Sequence, residues 1–145
     1  MNMRQWRFRR ATRRALAGGH HTALLTIDAL CEVAPFERVL RAGVPPSGLV
    51  SRTGESEFVV LLPHLAFPEQ AYDVAGGIAS SLSPVIVEGR LVALAAAIGV
   101  AVSAPGELSY DELADRSRQA MHRARQVGPE TRWAVWQDVS RRSAA

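Results

Sequence analysis

The 145-residue chain has no lysine, one cysteine and few aromatic residues, and each scarcity removes a class of explanation. With Cys31 alone no internal disulfide can form, so the fold must rest on a packed core, and a reducing cytoplasm is the expected compartment. Without a second cysteine nearby, that thiol reads as a small buried hydrophobe rather than a reactive group. Long apolar runs are also missing. The longest, residues 91–102, is far short of the ~20 residues that cross a bilayer, and reads as one buried strand. A secretion signal is not expected either: Thr12-Arg13-Arg14-Ala15-Leu16 is followed by Ala17-Gly18-Gly19-His20-His21, where export would need roughly 7–15 apolar residues. His20 and His21 are strand neighbours pointing to opposite faces, and His64 and His122 stand alone. No metal or other cofactor is expected.

Acidic residues are absent before Asp28, and what fills that stretch is arginine. All 17 basic residues are arginine, a pattern of codon usage that names no partner by itself. Six of them, Arg4, Arg7, Arg9, Arg10, Arg13 and Arg14, precede the first acid, and without them the count is 11 basic against 14 acidic residues. The net charge of +3 and pI near 10.0 therefore belong to an N-terminal arm on a mildly acidic body. Two readings of the arm stand side by side. With Trp6 and Phe8 interleaved, the arginines can bind phosphates while the aromatics stack, which points to nucleic acid. Alternatively residues 1–16 form a helix whose stripe of Phe8, Ala11, Ala15 and Leu16 docks on the body and leaves the arginines solvated. An acidic partner protein or an anionic membrane surface fits the same charge.

The body, 48% hydrophobic across the whole chain, is large enough for one domain with its own core. Residues 22–27 are apolar and β-branched up to Asp28, as a central strand covered on both faces should be. Pro35, Pro45 and Pro46 leave room only for a short helix at 36–42. Residues 49–53 and 57–62 read as a hairpin, with Gly54-Glu55 as a two-residue type II′ loop. Pro68 suits the first turn of a helix with Ala71, Val74, Ala75, Ile78 and Leu82 inward. Glu88-Gly89-Arg90 turns a second hairpin. Ser109 and Glu112 have capping-box spacing, opening a helix that buries Leu113, Ser117, Ala120, Met121, Ala124 and Val127 and stops at Gly128-Pro129. Residues 133–136 form the last strand, with Trp133 and Trp136 on opposite faces, packing at core and edge or, for Trp136, marking an interface. The expected layout is an arm at 1–17, one α+β domain at 18–138 and a flexible tail at 139–145. Its centre is a mixed, mainly antiparallel sheet flanked by helices.

The turn Gly54-Glu55-Ser56-Glu57-Phe58 resembles the Gly-Gly-Asp/Glu-Glu-Phe signature of GGDEF diguanylate cyclase domains. Ala97-Ile98-Gly99-Val100-Ala101 is similar to that family's Ser-Ile-Gly-Val-Ala strand. Ala114-Asp115 through Ala120-Met121-His122-Arg123-Ala124-Arg125 is similar to its Ala-Asp…Ala-Met-Tyr-x-Ala-Lys helix. Order and spacing agree over residues 10–137, so the resemblance implies a nucleotide-cyclase, palm-like fold.

The resemblance also implies chemistry, and here the residues depart from it. The family joins two GTP molecules into cyclic di-GMP with carboxylate-bound metal ions. Asp28 and Glu57 match two of the acids, and Arg125 stands for a phosphate-binding lysine. Ser56 occupies the position of the main catalytic acid, where a neutral hydroxyl can neither neutralise Mg²⁺ nor act as a base near pH 7. Glu55 replaces a glycine over which the triphosphate should pass. Pro129 replaces an expected arginine. The guanine-recognising segments have no counterpart between Leu30 and Ser47, and Pro45-Pro46-Ser47-Gly48 lacks the charges of the inhibitory Arg-x-x-Asp site. The expectation is a catalytically inactive regulatory or scaffolding module that meets another protein, or forms a homodimer. The alternatives are a purine-nucleotide sensor (GTP or cyclic di-GMP) built on Asp28, Glu57 and Arg125, or nucleic-acid binding through the arm. For the two acids the plainer reading is solvated carboxylates at strand ends.

Overall fold

Residues 22–27 carry no polar side chains except two threonines, both buried, and they form the middle of strand β1 (His21–Ala29). In the computed structural model, which describes residues 2–128 and 130–137, β1 lies at the centre of a five-stranded sheet. On one side it pairs antiparallel with β3 (Glu57–Leu65), and β3 with the edge strand β2 (Leu49–Arg52). On the other side it pairs antiparallel with β6 (Ala96–Ser103), and β6 runs parallel to β7 (Arg132–Val135). The order β2-β3-β1-β6-β7 is thus mixed and mainly antiparallel, as expected for the α+β class.

Alternation along β1 divides the core. Ala23, Leu25, Ile27 and Ala29 join Phe58, Val60, Ile98 and Val100 on the face covered by α2 (Val33–Gly43) and α3 (Glu69–Ser81). Leu24 joins Val59, Leu61 and Ala101 on the other face, under α1 (Met3–Leu16) and α4 (Tyr110–Gln126). The tightest contact is on that second face. A Cβ on Gly99 would collide with the backbone of Ser117 and Met121. Beside it the Thr26 and Ser117 hydroxyls share a buried hydrogen bond of 2.7 Å.

Several local expectations are corrected. The helix expected at 36–42 is longer, Val33–Gly43, because Pro35 falls in its first turn, where a missing N–H is harmless. The loop after β2 is not a two-residue type II′ turn. Gly54 is not among the positive-φ residues, and the Thr53 N–H donates to the Glu57 carbonyl at 2.9 Å, leaving residues 54–56 as the loop. Strand β3 continues past residue 62 because Pro63 and His64 sit in a bulge, with the register shifting between His21 and Ala23 and His64 at φ 58°. His64 is not isolated: its ring meets that of His20 edge-on at 5.7 Å. The apolar run 91–102 is not one strand. Its start, β5 (Arg90–Val92), pairs with β4 (Val85–Val87) as a separate hairpin across Glu88 and Gly89, both at positive φ as a type I′ turn requires. Val127, expected inside, is 64% exposed, because α4 ends at Gln126 before another turn can reach the sheet. The tail at 139–145 and Pro129 lie outside the described residues.

The capping box at Ser109 is present as read. The Glu112 N–H donates to Ser109 Oγ at 3.2 Å, and the Ser109 N–H donates to Glu112 Oε1 at 3.1 Å. Hydrogen bonds from the Ser109 backbone, then from its side chain, hold the Glu112 carboxyl below its ordinary value of 4.5. A lowered folded-state pKa contributes stability above the unfolded value and loses it as pH falls through the folded one. The stability difference between the native protein and Glu112→Gln, read by urea unfolding, is therefore expected to be flat above pH 4.5 and to shrink below it. Gly99→Ala is expected to lower stability by roughly 3 kcal/mol or to abolish folding, since α4 backbone rather than a movable side chain blocks the added methyl.

Candidate functional site

Asp28 enters the site because β1 runs one residue beyond it, so that its backbone pairs with Glu57 on one side and Ala97 on the other. Its side chain is on the α4 face of the sheet, and the residue is 7% exposed. Both carboxylate oxygens are taken. Ser56 Oγ donates to Oδ1 at 2.7 Å from the hairpin loop, and Arg125 Nη1 lies 3.0 Å from Oδ2, reaching down from the last turn of α4. The loop is held over the strand by the Ala29 N–H donating to the Ser56 carbonyl at 2.8 Å.

Three of the residues singled out in the sequence, Asp28, Ser56 and Arg125, thus converge. Glu57 does not join them. Although it is the cross-strand partner of Asp28, its carboxylate accepts from Thr53 Oγ1 at 2.8 Å. Gly54 and Glu55 lie on the exposed outside of the loop, where Arg52 donates to their carbonyls through Nε and Nη2. Phe58 is fully buried against Phe36, the rings 5.7 Å apart, so the last letter of the signature is a core residue. Arg52 and Thr53 escaped the sequence reading. Their only signal was polar side chains just before a turn, a position from which they can satisfy loop carbonyls and the first strand acid.

The donor set does not fit Mg²⁺, the ion that the resemblance implies. A divalent cation needs several oxygen ligands with at least one or two free carboxylates. Here one carboxylate is engaged through each oxygen by a hydroxyl and a guanidinium, and the neighbouring one is turned to a threonine. Among the described residues no three His, Cys, Asp or Glu side chains come together as a metal site. Within the cluster a mostly buried negative charge is balanced by a half-exposed arginine, tying the hairpin loop, β1 and α4 to one another.

The six arm arginines are remote from Asp28 in sequence and are carried on α1. Phe8, Thr12, Ala15 and Leu16 are buried, so the segment is a docked helix, and Asn2 caps it by accepting from the Gln5 N–H at 2.8 Å. Arg9 and Arg13 lie over the Tyr110 ring of α4 at 5.2 and 5.8 Å. A cleft of about 510 Å³ opens between α1, α2 and β2, lined in part by Arg4, Arg7, Glu37 and Arg41. Trp136 packs within the chain, its indole N–H donating to Gln119 Oε1 at 3.2 Å and Arg116 lying 3.9 Å above its ring, while Trp133 is on the opposite side near Gly76.

The family profile "Diguanylate cyclase, GGDEF domain" matches residues 28–131. No match was found among curated protein sequences. Among solved structures, the GGDEF domain of TpbB, also called YfiN, from Pseudomonas aeruginosa superposes with a TM-score of 0.82 at 23% identity, covering 97% of this chain and 93% of that one. The GGDEF domain of DgcB from Caulobacter crescentus, solved with c-di-GMP, gives 0.77 at 17% identity, covering 90% and 89%. The diguanylate cyclase SiaD of Pseudomonas aeruginosa, solved with its activator SiaC, gives 0.68 at 22% identity, covering 85% of this chain and 53% of that one. With a profile that runs from the site aspartate through β7's threshold, and the same strands and helices in the same order, this chain belongs to the GGDEF diguanylate cyclase domain family.

Proposed function

We propose that this GGDEF domain does not make cyclic di-GMP and acts instead as a regulatory or scaffolding module through protein contacts. The observation that carries the reading is the closed cluster at Asp28. Ser56, at the position of the catalytic acid, donates a hydrogen bond to the metal-ligand aspartate, and Arg125 neutralises it from the other side. A nucleotide's metal would have to displace both, and among the described residues no cluster of three acidic or imidazole side chains stands there to replace them. The same arrangement weighs against a purine-nucleotide sensor, because the guanidinium suited to a phosphate is already paired. The protein-contact reading is supported by the activator complex of SiaD, and by the outward cross-strand pair Ile86 and Leu91 on the β4–β5 hairpin, 76% and 73% exposed.

Incubation of the purified chain with millimolar GTP and Mg²⁺, followed by chromatography of the nucleotides, is expected to yield no cyclic di-GMP; any turnover that scales with protein would overturn the reading. Thermal unfolding with GTP, ATP or cyclic di-GMP is expected to show no shift, whereas a ligand present at a hundred times its Kd would add about 2.7 kcal/mol. Arg125→Gln removes the cation from the cluster but keeps the helix. It is expected to cost on the order of 1 kcal/mol in urea unfolding, since the arginine is half exposed, and to leave activity absent.

A further inference from the structure

The docked face of α1 accounts for Phe8, Thr12, Ala15 and Leu16, but not for the arginines. Helical spacing puts Met3, Arg7, Arg10 and Arg14 in one row on the opposite face, with Trp6, Arg10 and Arg13 in the row beside it. The helix has six arginines and no acid. Among the described residues none of the six pairs with a carboxylate; in the body Arg41, Arg52, Arg90, Arg125 and Arg132 each do, and Arg38, Arg116, Arg118 and Arg123 do not but are interspersed with acids along the chain, which the arm lacks. Arg9 and Arg13 are turned toward Tyr110 and help anchor the helix. Arg10 lies 5.3 Å over the ring of Trp6, and that indole is 52% exposed. A large, half-exposed aromatic in the middle of uncompensated guanidinium groups has no role in the core.

We propose that the solvent face of α1 binds single-stranded nucleic acid, with Arg7, Arg10 and Arg14 on backbone phosphates and Trp6 stacking on a base. Arg7 and Arg14 are about 10 Å apart along the helix axis, so the row tracks a polyanion rather than one isolated phosphate. Guanidinium forks match phosphate oxygens, and a neighbouring indole gives any unpaired base a stacking surface. A duplex buries those base faces and leaves Trp6 without a partner. An anionic bilayer fits less well: the apolar stripe that an interfacial helix would insert is already buried in the domain, and the rest of the chain counts 11 basic against 14 acidic residues. This inference is independent of the loss of cyclase chemistry.

Fluorescence anisotropy with the full chain and a short labelled oligouridylate tests it, alongside an RNA duplex of the same length and phosphatidylglycerol–phosphatidylcholine vesicles. The single strand is expected to bind with log Kobs falling against log salt at a slope of about −2, from three phosphate contacts. Replacing Arg7, Arg10 and Arg14 together by Gln should weaken binding at least tenfold and flatten that slope. Trp6→Ala should weaken it about tenfold at unchanged slope. These four side chains lie outside the buried core, so the melting curve by circular dichroism should hold in both variants. Undiminished binding by the triple variant, preference for the duplex, vesicle binding without oligonucleotide binding, or no binding at low salt would each overturn the proposal.

Discussion

The structure depends on the approach of α4 to the sheet at Gly99, where a single hydrogen in place of a side chain lets the helix backbone at Ser117 and Met121 settle onto β6. The Thr26–Ser117 hydrogen bond beside that contact gives the buried Thr26 hydroxyl its partner, while Ser117 Oγ also donates to the Ala114 carbonyl at 2.9 Å, and it ties the helix to β1 as well as β6. Once α4 is seated, its other contacts follow from its geometry. Two turns beyond Ser117, Arg125 reaches Asp28. One residue before it, Arg116 lies over Trp136. At its start, Tyr110 receives Arg9 and Arg13 from α1. One close contact in the core thus arranges a charged cluster at one end of the helix and an aromatic dock at the other.

At Asp28 the fold holds a charge-balanced cluster of one carboxylate, one guanidinium and one hydroxyl. A signature acid at position 56 would place like charges side by side, which a divalent cation could compensate. With Ser56 there, the hydroxyl donates to Asp28 and one arginine balances the remaining charge. Gly54, Glu55 and Ser56 occupy a loop, while Phe58 is held in the core by Phe36, so the hairpin is fixed by its buried letter and free to vary at its polar ones.

The elements were legible where one physical signal acted alone. The capping box at Ser109, the proline at the head of α3 and the two-faced apolar run of β1 each specify their element through local hydrogen bonding or burial. Legibility failed where local chemistry admits more than one path. Residues 91–102 are apolar throughout, and composition cannot say that the chain leaves one sheet at Val92 and enters another at Ala96. Gly54 suggests a tight turn, but the loop's polar side chains bond its carbonyls and stabilise a longer one. The meeting of His20 with His64 depends on a bulge that no residue pattern announces.

By itself the sequence determined the class of fold, the identity of the signature residues, and the concentration of positive charge before Asp28, because these are properties of residue type and spacing along the chain. Tertiary structure alone decided which charges distant in the chain are compensated. Asp28 and Arg125 are 97 positions apart, and only the docking of α4 on β6 brings them to 3.0 Å. Glu57, adjacent to Ser56 in sequence, is drawn away by Thr53. The arm arginines remain without carboxylate partners among the described residues: α1 docks by its apolar stripe, turning Arg9 and Arg13 to Tyr110 and carrying Arg10 and Arg14 on its outer side. Local pairs such as Glu37 with Arg41 follow from helical spacing, but pairs between distant residues depend on distances across the fold, which chain order does not encode.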